Sequence, residues 1–406
     1  MPADKEFNSV YDQIRLLRTR NLHINDFDSA KENLLSRNYF NLINGFETLL
    51  LDDPKNPPKK YTKKTFNDFV RLYDFDAQFS SIIFQKISEF ETKLKTSIAY
   101  HFCKSHCSTL QDNNKYIDVN CYNVPKITEG PKQYVNFFYN ANNDKKSHKI
   151  FRRNYYFDGR FRGSFNGTVT YIPNKNQTKL EGVFKGRFGS TSIREVDGTL
   201  TFFNNRQHGL YTTLSSISPT SGSTVSIRIN LTKDERIYGL TYIDDCKIKF
   251  PYINEYKNPP FWVVIKTLML NDVIILMYGL KKRTIDAVLK DFNLKPSEKE
   301  GFLNSLEIIR ELRNTCAHFE LVNRFRTSQK LKIDAGLITK LNLTPMRSHY
   351  IIKLYDVLRV LGQYVDLFEV KSFLHNYWYL EKRSNNINIA ESLLDRMGNR
   401  NINDWI

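Results

Sequence analysis

One segment carries residue types at a spacing that could do chemistry: Leu306-Glu307-Ile308-Ile309-Arg310-Glu311-Leu312-Arg313-Asn314-Thr315-Cys316-Ala317-His318-Phe319. Wound as a helix, it places Ile309, Leu312, Cys316 and Phe319 on one stripe, which is expected to face a core. Arg310, Arg313, Asn314 and His318 fall on the other side, around the small Ala317. Asn314 and His318 are four residues apart and therefore neighbours on that face. A guanidinium, an amide and an imidazole suffice to cleave RNA without metal, because the RNA 2′-hydroxyl is itself a nucleophile beside the scissile phosphate. His318 would move protons, imidazole being the side chain that gains and loses one near neutral pH. Arg313 would hold the phosphate and balance charge building on its oxygens. Asn314 would orient His318 or donate a hydrogen bond to the phosphate. An Arg followed five positions later by His also occurs on plain solvated helix faces, so the spacing by itself fits both readings.

The elements that must position these residues are helical on either side of a different texture. From Tyr11 to about His106, apolar residues recur at spacings of three and four: Phe69, Leu72, Phe75, Phe79, Ile82 and Ile83, then Ile87, Phe90, Leu94 and Ile98. The run Asp52-Asp53-Pro54-Lys55-Asn56-Pro57-Pro58 is a loop between helices, and Asn44-Gly45 reads as a helix C-cap. The stretch from Ser108 to about Asn154 is polar and Asn-rich, without a clear period. From Tyr155 to about Phe250 residues alternate at period two, with Phe157, Phe161, Phe165, Val169 and Tyr171 on one parity. Further runs are Leu180–Phe188, Gly198–Phe203, Leu210–Leu214, Thr224–Leu231 and Ile237–Ile243. Turn signals at Asp158-Gly159, Asn166-Gly167, Asp197-Gly198, Asn204-Asn205 and Ser218-Pro219-Thr220-Ser221-Gly222 separate or interrupt these runs. An antiparallel meander of six to eight strands is expected there. Helical texture resumes at Asn258-Pro259-Pro260-Phe261 and continues through Lys281, Thr284–Leu289, Ser297–Asn323 and Ser348–Trp378, before a polar tail.

With 406 residues the chain can hold two or three domains, and 41% hydrophobic with 14% aromatic residues excludes a disordered or collagen-like chain. The longest apolar run, Phe261 to Leu280, carries Lys266, Asn271 and Asp272 in its middle, too polar for a membrane span. The opening residues lack a signal peptide's apolar stretch, and five cysteines imply no disulfide framework. These features predict a soluble cytoplasmic protein that does not engage membranes. Sixty Lys and Arg against 43 Asp and Glu give +17, a charge suited to phosphate-rich partners. Residues 145–250 hold +10 of it, so alternating cations and aromatics there could form an RNA surface. The alternative is that the aromatics face a core and the cations face water. His101-Phe102-Cys103-Lys104-Ser105-His106-Cys107 holds four possible metal ligands, but no second pair accompanies them, and ordinary helix-end packing is expected. Gly159, Gly163 and Gly167 repeat without a following Gly-Lys-Ser/Thr, so no nucleotide loop is expected. No metal or cofactor is predicted.

Arg313-Asn314-Thr315-Cys316-Ala317-His318 resembles the Arg-x4-His motif of HEPN ribonucleases. Arg37-Asn38-Tyr39-Phe40-Asn41-Leu42-Ile43-Asn44-Gly45, Leu72-Tyr73-Asp74-Phe75-Asp76 and Glu91-Thr92-Lys93-Leu94-Lys95-Thr96-Ser97-Ile98-Ala99-Tyr100-His101-Phe102 resemble the Abi family of abortive-infection proteins. So do Asn258-Pro259-Pro260-Phe261-Trp262 and the segment from Arg310 to His318. All occur in the order seen in AbiD- and AbiF-like members, over about residues 11–106 and 258–380; the β insert is where the chain departs from shorter members. The resemblance implies a mainly α fold: a discontinuous HEPN-like helical bundle from residues 1–150 and 251–406, the latter carrying the motif, interrupted by an antiparallel β domain at 151–250. It implies phage defence by a metal-independent endoribonuclease with Arg313, His318 and Asn314 as catalytic residues. HEPN sites are commonly composite, so a homodimer is expected. Some AbiF-like members are associated with a small noncoding RNA, so a structured RNA partner of the toxin-antitoxin kind is a further expectation. Arg310, Lys95, Arg152, Arg153, Arg160, Arg162, Lys185 and Arg187 are the candidate RNA-binding cations. The competing reading is a non-catalytic RNA-binding or phage-sensing protein that works through the basic β insert.

Overall fold

The computed structural model describes residues 7–123, 146–157, 161–172, 177–186, 194–205, 209–215 and 242–405. The chain is mainly helical. Its helices are α1 (Val10–Thr19), α2 (Phe27–Ser36), α3 (Glu47–Leu50), α4 (Phe66–His106), α5 (Tyr242–Lys249), α6 (Phe261–Val264), α7 (Leu270–Gly279), α8 (Lys282–Asp291), α9 (Lys299–Ala317), α10 (Ala335–Leu341), α11 (Leu354–Leu361), α12 (Phe368–Arg383) and α13 (Ile387–Met397). The strands are β1 (Lys146–Phe157), β2 (Phe161–Ile172), β3 (Gln177–Gly186), β4 (Arg194–Asn205) and β5 (Gly209–Ser215). Two compact units emerge, one of Met1–Ser97 with Asp286–Ile406, the other of Ile98–Ile285.

In the first unit α4 is the axis. Neither proline nor glycine interrupts Phe66–His106, and the apolar period of three and four runs along its length. Its start is fixed reciprocally: the Thr65 N–H donates to the Asp68 carboxylate at 2.8 Å, and the Asp68 N–H donates to Thr65 Oγ1 at 3.3 Å. Phe69, Phe79, Ile83, Ile87, Phe90 and Leu94 are all buried. Against them lies α9, antiparallel. Its C-terminal Cys316 hydrogen-bonds Ser80, and Arg313 sits over the Phe84 ring at 5.9 Å. Its N-terminal Phe302 meets Tyr364, which in turn meets Phe90 at 5.3 Å. Phe75 stacks on Phe373 of α12 at 5.6 Å. The expected continuous helix over Ser348–Trp378 is instead two, α11 and α12, and residues 348–353 are not helical, with His349 and Ile351 at positive φ. The expected polar tail folds as α13, burying Ile389, Ala390, Leu393, Leu394 and Met397. Trp405 beyond it is 1% exposed and donates from Nε1 to the Asn399 carbonyl at 2.8 Å. Asn and acidic residues interleave with the apolar period there and conceal it.

In the second unit the apolar run from Phe261 breaks into α6, a 3-10 turn at Ile265–Thr267, and α7, because Leu268 and Met269 are extended. Phe261 packs between Phe102 and Tyr116, and Tyr116 donates to the Pro259 carbonyl at 3.1 Å. The strands pair in the order β1-β2-β3-β4-β5, each antiparallel to the next. Val169, Leu180, Leu200 and Leu214 stand in one register row. Asn166-Gly167 and Asp197-Gly198 are not turns: they lie inside β2 and β4, where Gly167, Gly182 and Gly198 align across three strands. The run Thr224–Leu231 and the Asp158-Gly159 and Ser218–Gly222 signals lie outside the described residues, and Ile237–Ile243 ends in helix α5. His101–Cys107 closes α4, where burial pushes the Cys103 thiol up to about 12. Among the described residues no three His, Cys, Asp or Glu side chains are grouped to hold a metal, and no helix is long and apolar enough to cross a membrane.

Candidate active site

The last turn of α9 holds Arg313, Asn314 and Ala317, and His318 is its C-cap. Ile309, Leu312 and Cys316 face the core as the spacing predicts, and burial pushes the Cys316 thiol up to about 11. Phe319 does not share that stripe. The helix ends at Ala317, two residues earlier, and Phe319 sits at φ 56, 86% exposed. Its N–H donates to the Cys316 carbonyl at 3.2 Å, and the Glu320 N–H donates to that of Thr315 at 3.1 Å. This is the Schellman end of a helix, with phenylalanine where glycine is usual. A side chain in that left-handed conformation costs about 1–2 kcal/mol.

What turns the chain there is a buried carboxylate. Asp76 of α4 accepts from the Val322 N–H at 3.0 Å, the Asn323 N–H at 2.8 Å and Asn323 Nδ2 at 2.7 Å. Asn323 Oδ1 accepts from Arg396 Nη1 at 3.1 Å, and the same nitrogen donates to the Gly45 carbonyl at 2.9 Å. Arg396 also donates to Thr48 Oγ1, and Arg324 donates to the Asn44 carbonyl at 2.5 Å. Burial lifts Asp76 to about 6 against these hydrogen bonds and the Arg396 charge, and burial with the neighbouring Arg324 charge lowers Arg396 to about 10. Gly45 follows a helical turn, as expected, but at a right-handed φ of −56. Glycine is required for room: a Cβ would run into the Asn41 carbonyl oxygen and the Leu321 side chain. Leu321, Val322 and Asn323 are therefore gripped on both sides just after His318.

Asn314 and His318 are exposed, and Arg313 is partly buried. The Arg313 Nε is enclosed without a hydrogen-bond partner, and no carboxylate among the described residues lies within ion-pair reach of Arg313. Nearby carboxylates are engaged elsewhere: Glu307 pairs with Arg310 at 2.8 Å, and Glu311 accepts from the Ser328 N–H at 2.7 Å. Arg313, Asn314 and His318 thus fall within six residues at the C-terminal end of α9, and a guanidinium, an imidazole and an amide are groups suited to an anion. The other candidate cations differ. Arg310 is held by Glu307, and Lys95, largely buried, is held by Glu91 at 2.6 Å. Arg152 and Arg153 lie in β1 at a register shift, Arg162 lies in β2 opposite Tyr156, and Lys185 lies in β3 opposite Glu195. Arg160 and Arg187 lie outside the described residues. The sequence reading quoted Asp76 within a family-like phrase but gave it no role, and it passed over Asn323 and Arg396. A signal existed: Asp76 is a carboxylate on the stripe of Leu72, Phe79 and Ile83, where a charge demands a partner.

A family model described as Abi-like protein matches residues 32–174 and 153–322, and so takes in the helices of this site and the whole Arg313-to-His318 run. Neither a curated protein nor a solved structure matches the chain.

Proposed function

The chain belongs to the Abi-like protein family, and from that premise we propose that it serves abortive-infection defence against phage as a metal-independent HEPN-type endoribonuclease. The observation that carries this reading is that Arg313, with no carboxylate in ion-pair reach among the described residues, and the exposed Asn314 and His318 all fall within the six residues that close α9. In the proposed reaction a general base takes the proton of an RNA 2′-hydroxyl, and the 2′-oxygen attacks the adjacent phosphorus. The bond from phosphorus to the 5′-oxygen breaks as a general acid returns a proton to that oxygen, leaving a 2′,3′-cyclic phosphate and a 5′-hydroxyl. Arg313 offsets the charge on the phosphate's non-bridging oxygens, and Asn314 steadies His318 or the phosphate. Two proton transfers need two groups, so His318 from each of two copies of the chain supplies base and acid in a homodimer. Residues 151–250 are read as an insert in the helical bundle. Its net positive charge suits a structured RNA that would control the enzyme.

The test uses purified wild type, Arg313→Ala and His318→Ala incubated with total cellular RNA in a chelator. Cleavage by wild type alone is the expected result. Tight RNA binding with no cleavage by any of the three would favour a regulatory RNA-binding protein instead.

A further inference from the structure

We infer that Phe319 is a base-stacking residue, its ring taking the face of a nucleobase next to the phosphate held at Arg313 and His318; the assignment rests on the ribonuclease reading above. Neither folding nor capping accounts for this side chain. Helical spacing assigns position 319 to the stripe of Ile309, Leu312 and Cys316, all buried, yet the helix stops short and turns the ring outward. The left-handed C′ position it occupies favours glycine, and a bulky residue there is strained. The hydrogen bonds from Val322 and Asn323 to Asp76 and the seat of Leu321 at Gly45 hold the turn from the other side. An exposed aromatic ring is thus held in a costly conformation immediately beside His318.

A nucleobase is the occupant that fits. Within the preceding six residues stand Arg313, with no carboxylate in ion-pair reach among the described residues, Asn314 and His318, which suit a phosphate, and every base presents a stacking face within reach of its phosphate. Attack by a 2′-oxygen also requires it in line with the departing 5′-oxygen, an alignment that a stacked A-form strand does not offer. A ring that holds one base off the stack would favour that alignment.

The experiment compares Phe319→Gly, Phe319→Trp and the unchanged residue, each in the wild-type and the His318→Ala background. Glycine relieves the strained conformation, so a purely structural role would leave function intact or improved. The inference expects Phe319→Gly to weaken binding of a fluorescein-labelled oligouridine to the His318→Ala chain by about 10-fold, with Phe319→Trp retaining affinity. It also expects kcat/KM for RNA to fall in step, with no added loss when the base flanking the mapped cleavage position is replaced by an abasic site. Unchanged binding and cleavage in Phe319→Gly would overturn the inference while leaving the ribonuclease reading in place. A chain that never cleaves RNA, yet binds oligouridine through Phe319, would overturn the ribonuclease reading and keep the stacking contact. A change in oligomeric state on sedimentation of Phe319→Gly, without loss of RNA affinity, would assign the ring to a contact between copies and overturn it.

Discussion

At the scale of single residues, exposure separates the chemistry from the fold. His318 caps α9 in solvent, so His318→Ala should leave the unfolding free energy within about 0.5 kcal/mol of wild type. Arg313→Ala should cost up to about 1 kcal/mol, the guanidinium's contact with the Phe84 ring. Both should abolish toxicity and phage protection in plaque assays; full toxicity of His318→Ala would refute its catalytic role. Asp76 answers to pH instead. Burial raises it from the usual 3.8 to about 6, so the folded chain binds this proton more tightly than the unfolded one. Its contribution, up to about 3 kcal/mol, is complete below about pH 4 and is lost as pH climbs through about 6. The Tm of wild type should therefore fall across that window relative to Asp76→Asn, which cannot titrate, and the difference should level off above it. A difference flat with pH would contradict the buried carboxylate's role. The two sides of α9 were legible, because helical spacing separates the buried Ile309, Leu312 and Cys316 from the exposed Asn314 and His318. Asp76 was not, because its partners Val322, Asn323 and Arg396 are hundreds of residues away in sequence and only the fold brings them together.

At the scale of elements, α9 and the turn after it are held by close packing on one side and hydrogen bonds on the other. Gly45→Ala should destabilise the chain by about 1–3 kcal/mol, because the Asn41 carbonyl is backbone and cannot yield. Cys316→Asp should cost more and unfold the helical unit, placing a charge in a buried position beside Asp76. Chemical denaturation followed by circular dichroism separates the two, and a Gly45→Ala chain as stable as wild type would refute the tight approach. Helix α4 was legible over its length because its apolar period is unbroken. The joint between α11 and α12 was not, since the residues from Gly362 to Leu367 keep a helix-compatible apolar pattern while the backbone departs from it. In the strand region, the Asp197-Gly198 turn signal misled, since both residues lie inside β4, with Gly198 opposite Gly182.

At the scale of the whole molecule, charge and copy number carry the remaining expectations. If the cations of residues 145–250 hold RNA through phosphates, affinity should drop steeply with salt. Reversing the charge of several among Arg152, Arg153, Arg160, Arg162, Lys185 and Arg187 should flatten that slope without changing cleavage chemistry. An unchanged slope would remove the insert as an RNA platform. The central claim, attack by an RNA 2′-hydroxyl under Arg313 and His318, is tested most directly on one substrate. An RNA oligonucleotide carrying the mapped cleavage position is compared with the same strand bearing a single 2′-deoxy nucleotide there, both in chelator, with product ends read by mass spectrometry. Cleavage of the all-ribose strand to a 2′,3′-cyclic phosphate and a 5′-hydroxyl, with none of the 2′-deoxy strand, is the predicted result. Equal cleavage of both strands would contradict the account.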